Sequence, residues 1–284
     1  MRIAFLLQAS EHAPHGPGLA RVTAETVDRL RTRGVQVDLL VAGADVLDVA
    51  GLRPQHDLYV LKSKAPLTHS LAGALTTLGA PVVNSYRASI LTWDKVATTA
   101  VLATAGIPVP RSWATGQASA LHPLMDQGPL WLKPQHGKSG SGVQRVDTLA
   151  ALEAGDWEAV DPYGYPMPVF AQRDVPSGGQ DFKVYVVGQQ AWALVKQWPP
   201  RSPQDKLGTV VPLPAAIRAA ALAAGRALGL ELYGVDFLLL QDGSGEFAVV
   251  DVNAFPGYNG LDEAPVALAD YLFQRARLGA VAWE

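Results

Sequence analysis

The sequence predicts an α/β chain: a parallel sheet in roughly the first 90 residues, then hairpins and helices. Three observations predict it. Short apolar runs alternate with helical periodicity through that first stretch, the pattern of strand–helix–strand units. Further on, two apolar segments fold back on themselves, one around Gly188-Gln189-Gln190 and one around Asp242-Gly243-Ser244-Gly245. Of the 284 residues, 49% are hydrophobic and 17% charged, enough apolar material for a sizeable core.

The elements follow in order. RIAFLLQ (2–8) reads as a buried strand. Residues 18–33 read as a helix, with Leu19, Val22, Thr26 and Leu30 at helical spacing and Gly34 as the stop. Strands are expected at 35–41, 57–62 and 81–84, with a helix over 67–79 between the last two. A single helix is expected from about Thr92 to Ala105, halted by Gly106 and Pro108. GPLWLKPQHGKSGSGVQRV (128–146) reads as strand, glycine loop, strand. A short helix follows, capped by Asp147 or Thr148. Residues 168–175 run from apolar to polar. A hairpin occupies 181–198, and 198–208 is a loop by composition. Residues 215–228 form an Ala-rich helix ended by Gly229. A second hairpin ends in VVDVN, and 261–278 closes the chain as a helix.

Composition narrows the function. A net charge of −3 gives no overall basic field to attract nucleic acid or an acidic membrane. With no cysteine there is no disulfide, thiolate metal site or cysteine nucleophile. The N-terminal apolar run is too short for a signal-peptide core, and no run approaches a membrane span. These features suggest a cytoplasmic enzyme or binding protein.

Asp251 and Asn253 end an apolar strand. Residues two apart on a strand face the same way, about 6.6 Å apart along the chain. Antiparallel pairing brings Asp236, on the preceding strand, toward Asp251. Three hard oxygen ligands suit Mg²⁺; the alternative is a turn cap and a loop hydrogen bond. A carboxylate in an apolar strand, as at Asp236, is costly without a partner. The loop after Lys133 lets backbone N–H groups approach a phosphate, although a flexible hairpin tip has the same composition. It is neither a Walker loop nor a dinucleotide fingerprint. Lys133 projects from an apolar strand and calls for an anion. Lys183 shares a strand face with Asp181 and Tyr185, and Lys196 lies on the paired strand; a solvated face with cross-strand pairs is the competing account. His12, His15 and His136 read as loop residues as readily as ligand contacts.

In order along the chain stand DK…AGIPVP (94–110), LKPQHGKSGSGV (132–143), VFAQRDV…GGQDFKVYVVG (169–188), YGVDFLLL (233–240) and VVDVNAFPGYNG (249–260). This ordered set resembles the ATP-grasp superfamily over roughly residues 81–260. The resemblance implies α/β and α+β architecture: a parallel-sheet pre-ATP-grasp domain (1–90), a lid subdomain (91–175) and a metal-bearing subdomain (176–284), the last two clamping ATP. The chain is similar to two branches, the glutamate-ligase-like (RimK-like) enzymes and the inositol polyphosphate kinases built on the same grasp. Position 183 carries Lys where the ligase branch typically has Arg, and Asp251 stands where most ligase relatives have Glu.

By this resemblance Lys95 and Lys133 contact the ATP phosphates, and Lys138, Ser139, Gly140, Ser141 and Gly142 form the lid over them. Gln172, Arg173, Asp174 and Val175 are the hinge whose backbone reads adenine. Asp181 contacts ribose or orients a lysine. Asp236, Asp251 and Asn253 hold one or two Mg²⁺, with Mn²⁺ as a substitute. Lys183 and Lys196 face the acceptor as catalytic groups, and Lys62, Gly257 and Gly260 line the substrate. The implied activity is an ATP- and Mg²⁺-dependent carboxylate–amine ligase acting through an acyl phosphate, on a small-molecule or peptide acceptor. The alternative is a kinase phosphorylating a hydroxyl of a small molecule such as an inositol polyphosphate, with Lys62, Lys64, Lys183, Lys196 and Arg201 as its cations. A homo-oligomer is compatible with either.

Overall fold

The computed structural model describes residues 1–8, 19–43, 46–135, 142–157, 164, 166–197, 202, 207–240 and 244–279. The glycine loop between 136 and 141 lies outside them, and so do His12, His15, His136, Trp198 and Arg201.

Three sheets form among the described residues. The first is parallel throughout, in the order β2-β1-β3-β4, from β1 (Arg2–Gln8), β2 (Gln36–Ala42), β3 (Leu58–Leu61) and β4 (Val82–Val83). Helix α1 (Arg21–Thr32) covers one face with Val22, Val27 and Leu30. Helix α2 (Pro66–Thr77) covers the other with Leu71, Ala72 and Leu75. Both faces are therefore buried, which is why β1 and β3 read as continuous apolar runs.

The single helix expected over 92–105 is two helices, α3 (Tyr86–Trp93) and α4 (Lys95–Thr104). Asp94 separates them. Its backbone is extended, and its carboxylate accepts the N–H groups of Val96 and Ala97 at 2.9 and 3.2 Å. A short acidic side chain competes with the helical ladder in this way and begins a new helix. Ser85 caps α3 in the same manner, and Thr148, not Asp147, caps α6 (Leu149–Ala154).

The second sheet is antiparallel, order β5-β8-β6-β7, from β5 (Ser112–Thr115), β6 (Leu130–Pro134), β7 (Gln144–Val146) and β8 (Val169–Arg173). It has a small core of its own around Leu130, Leu132, Val146 and Leu152, with α5 (His122–Met125) at its side. The sequence pattern missed β5 and α5, which are four residues each, too short to display a period. Strand β8 stops at Arg173, so Asp174 and Val175 leave the sheet.

The third sheet, β11-β10-β9-β12-β13, is antiparallel. It is built from β9 (Gln180–Val187), β10 (Gln190–Gln197), β11 (Thr209–Val211), β12 (Leu232–Leu239) and β13 (Phe247–Ala254). One face packs Phe182, Val184, Val186, Val235 and Phe237 against α7 (Ala215–Leu228), α3 and α4. At one end, the other face sends Tyr185, Val187, Leu194 and Leu232 into a core shared with the first sheet, α1 and α8 (Ala264–Leu278). Buried Asn84, just after β4, ties the two sheets. Its Oδ1 accepts the Glu231 and Leu232 N–H groups at 2.8 and 2.9 Å, and its Nδ2 donates to the Leu232 carbonyl at 2.6 Å. Among the described residues no helix is long and apolar enough to cross a membrane.

Candidate active site

The polar end of the third sheet is set by register. Lys183 on β9 pairs with Asp236 on β12, which pairs with Asp251 on β13; on the other side Asp181 pairs with Lys196 of β10. These side chains share one face because alternate strand residues point the same way. Strand β13 needs one correction to its phase. The register slips between Asp236 and Phe237, where the β12 partners jump from Asp251 to Val249 and leave Val250 as the extra residue. This bulge lets Val249 and Val252 both enter the apolar core while Asp251 and Asn253 stay on the polar face.

The acidic end is compact. The Asn253 amide donates to Asp251 Oδ2 at 3.0 Å and to Asp236 Oδ2 at 3.4 Å, and its Oδ1 accepts from Lys64 Nζ at 3.5 Å. Asp236 also takes a short ion pair from Lys183. Among the described residues there is no cluster of three His, Asp or Glu suited to a metal. Two carboxylates and one amide oxygen form a sparse hard-oxygen set, which fits Mg²⁺ sharing its sphere with phosphate oxygens and water. The amide would turn its oxygen toward such an ion.

Electrostatics mark the same face. Burial, then the Asp236 charge, pushes the Asp181 carboxyl up to about 6 against the pull of Lys183, Lys133 and Lys196. Burial and the Lys183 charge bring Lys196 down to about 8, opposed by Asp236 and Asp181. Burial also works against the Lys183 ammonium. The charge and hydrogen bond of Asp236, with Tyr185 and Asp251, together outweigh it and hold that pKa above the ordinary lysine value. Burial raises Tyr185 to about 12, and its hydroxyl accepts from Lys196 Nζ at 3.1 Å.

The second sheet brings Lys133 near these carboxylates. Burial lowers the Lys133 pKa; Asp251, Asp236 and Asp181 act to raise it and Lys95 to lower it, so all five belong to one electrostatic neighbourhood. Lys133 Nζ donates to Gln172 Oε1 at 2.7 Å, and Lys95 Nζ to the Gln135 carbonyl at 3.5 Å. Of the glycine loop only Gly142 is described, with φ +71; Lys138, Ser139, Gly140 and Ser141 lie outside the described residues.

Other residues singled out from the sequence make the following contacts. The Arg173 guanidinium donates to the carbonyls of Leu124, Gly128 and Pro129 and stacks over Trp113, so its side chain braces the second sheet. Asp174 accepts from Trp131 Nε1 at 2.6 Å and from Arg145, and its N–H donates to the Pro129 carbonyl at 3.2 Å. Lys62 donates to the carbonyls of Phe255 and Pro256 at 2.6 and 3.0 Å, with its ammonium 4.6 Å from the centre of the Phe255 ring. It therefore straps the turn that follows Asn253, a turn with positive φ at Phe255 and Tyr258. Gly260, at φ +84, is required by packing, because a Cβ there would sit 2.1 Å from the Leu207 carbonyl oxygen. A Cβ at Gly257 would meet only the Asn259 side chain at 3.1 Å. Sequence reasoning overlooked Asn84 and Ser112, which carry no motif. It named Lys64 only among the cations of the alternative reading, and the Lys64–Asn253 contact is visible only in three dimensions.

A sheet bearing Lys133 beside a sheet bearing Asp181, Asp236 and Asp251, with a parallel-sheet unit alongside, is the arrangement that the ATP-grasp resemblance implies. Comparison with known proteins agrees. The family model for the inositol 1,3,4-trisphosphate 5/6-kinase ATP-grasp domain matches residues 201–274. A probable alpha-L-glutamate ligase of Sodalis glossinidius is 30% identical over 258 residues, covering 84% of this chain and 84% of that one. The RimK domain ATP-grasp protein of Sphaerobacter thermophilus superposes with a TM-score of 0.71 at 22% identity, covering 96% of this chain and all of the other. The ATP-grasp ligase PsnB, complexed with minimal precursor, Mg and ADP, superposes with a TM-score of 0.69 at 20% identity, with 97% of each chain covered. The two structures establish the fold. The chain belongs to the RimK-like ATP-grasp ligases, the family of the alpha-L-glutamate ligases.

Proposed function

We propose that this ligase joins a carboxylate to an amine through an acyl phosphate. The observation that carries the reading is the convergence of Asp236, Asp251 and Asn253 on one face, opposite Lys133. A substrate carboxylate oxygen attacks the γ-phosphorus of ATP, the bond to the bridging oxygen breaks, and ADP leaves. The amine nitrogen then attacks the acyl carbon, inorganic phosphate departs, and the amide forms with loss of the amine proton. Lys133 and Lys95 neutralise phosphate charge, and the protein works mainly by positioning. One or two Mg²⁺ held by Asp236, Asp251 and Asn253 would polarise the phosphoryl oxygens. Lys196, brought down to about 8, is neutral in increasing measure toward pH 8, where it is suited to receive the amine proton. The acceptor is an amino acid or a peptide, in keeping with relatives described as a glutamate ligase and as a ligase bound to a precursor. Dependence on ATP favours a cytoplasmic enzyme.

A product-resolved assay tests this. ADP and free phosphate in equal amounts, dependent on both a carboxylate and an amine, are expected. Asp251→Ala and Lys133→Ala abolish turnover, as does removal of Mg²⁺ by chelation. Full activity in Asp251→Ala sinks the metal assignment. The kinase-type match over 201–274 favours a second reading, transfer to an alcohol. ADP without free phosphate, dependent on an alcohol, would establish it.

A further inference from the structure

Gln172 is 3% exposed in the second sheet, and both ends of its side-chain amide are hydrogen-bonded. Its Oε1 accepts from Lys133 Nζ at 2.7 Å, and its Nε2 donates to Ser112 Oγ at 3.3 Å. The Ser112 hydroxyl donates in turn to the Pro110 carbonyl at 2.8 Å. The register explains the meeting. Gln172 lies opposite Trp131 on β6, two residues before Lys133, and opposite Ser112 on β5. A polar chain thus crosses three strands and ends at the Lys133 ammonium.

We propose that Gln172, anchored by Ser112, is a positioning residue that aims the Lys133 ammonium at the nucleotide phosphates. A free lysine side chain samples many rotamers, and fixing it costs entropy at the moment of binding. An amide oxygen locked from behind limits that freedom before ATP arrives, as preorganised sites require. The neutral amide suits this task. A carboxylate there would pair with the ammonium and compete with phosphate, whereas an apolar side chain would leave Lys133 unheld. This role belongs to the Gln172 side chain and is separate from hinge contacts through its backbone. It rests on the reading that Lys133 meets phosphate.

The test is calorimetric titration of the full chain with Mg²⁺ and a non-hydrolysable ATP analogue. Gln172→Leu is expected to weaken the affinity tenfold or more, on the scale of one charge-assisted hydrogen bond. Ser112→Ala, which leaves Gln172 in place, weakens it about threefold and serves if Gln172→Leu does not fold. Gln172→Glu, which keeps the acceptor oxygen, recovers part of the loss. Lys133→Met weakens affinity by itself, and adding Gln172→Leu to it costs nothing further, because the two act as a unit. A purely structural role predicts instead that Gln172→Leu weakens wild type and Lys133→Met equally, and that result overturns the proposal. Wild-type affinity in Gln172→Leu, or in folded Ser112→Ala where Gln172→Leu is lost, also overturns it. Wild-type affinity in Lys133→Met removes the phosphate contact itself, and with it both this inference and that part of the functional reading.

Discussion

Replacing Asp181 by Asn tests whether the polar face is held at a cost to stability. The Asp181 carboxyl is raised from 3.8 to about 6 in the folded protein, by burial first and Asp236 second. Folding therefore favours the protonated form. Wild-type stability falls as pH rises from about 4 to about 6, and above 6 the penalty is constant. At 1.36 kcal/mol per pKa unit the full penalty is about 3 kcal/mol. Asp181 keeps some solvent exposure, and screening brings the expected gain in Asp181→Asn to about 1–3 kcal/mol at pH 7.5. A chain of this size would show that gain as a rise of several degrees in Tm. The assay is thermal unfolding of both proteins from pH 4 to pH 8 at fixed ionic strength. The difference should be near zero at pH 4, grow through pH 5 and level off above pH 6. A pH-independent difference, or a variant less stable than wild type at pH 7.5, would refute the reasoning. Activity should fall in the same variant, the usual relation between a strained site and its function.

Gly260→Ala drives a methyl group against the Leu207 carbonyl at a positive φ and should cost about 2 kcal/mol or more, while Gly257→Ala stays within about 0.5 kcal/mol; equal denaturation midpoints for the two would refute the packing account. Asn84→Ala strands the Glu231 and Leu232 N–H groups where Asn84 is wholly buried, while the Leu232 carbonyl keeps the Phe255 N–H, for a loss of about 2–4 kcal/mol. Hydrogen exchange should then rise at Leu232 before it rises in α7. Lys62→Met frees the carbonyls of Phe255 and Pro256 and should cost about 1–3 kcal/mol. It should also weaken Mg²⁺ binding through Asn253, and an unchanged Mg²⁺ affinity would leave Lys62 with a stability role alone.

Much of this arrangement was legible in the chain. The parallel first sheet follows from alternation of apolar runs and helical periods, and the meeting of Asp236 with Asp251 follows from a hairpin whose strands carry one carboxylate each. What escaped was governed by local competition or by distant packing. Asp94 divides an apparently continuous helix because its carboxylate outbids the helical ladder for two N–H groups. The bulge at Val250 is invisible in a run of valines, since VVDV alternates equally well with or without it. Arg173 and Asp174 lie in a motif, but the Arg173 side chain holds α5 and the connection to β6, and the Asp174 side chain holds Trp131 on β6. Lys62 looks like a substrate cation in one dimension. In three dimensions it touches a turn nearly two hundred residues away.

The last helix has a bearing on synthesis. Helix α8 packs on α1, and Leu261, Leu268 and Leu272 complete the core that Phe5, Val22 and Leu30 begin. Contacts of such sequence separation close slowly and cannot form on a partial chain. On the ribosome the face of the first sheet that carries Phe5 is covered by α1 alone until α8 has emerged. The second sheet closes its core within residues 121–171 and is free to settle first. The second sheet would thus be the earliest to mature, and the first sheet the latest.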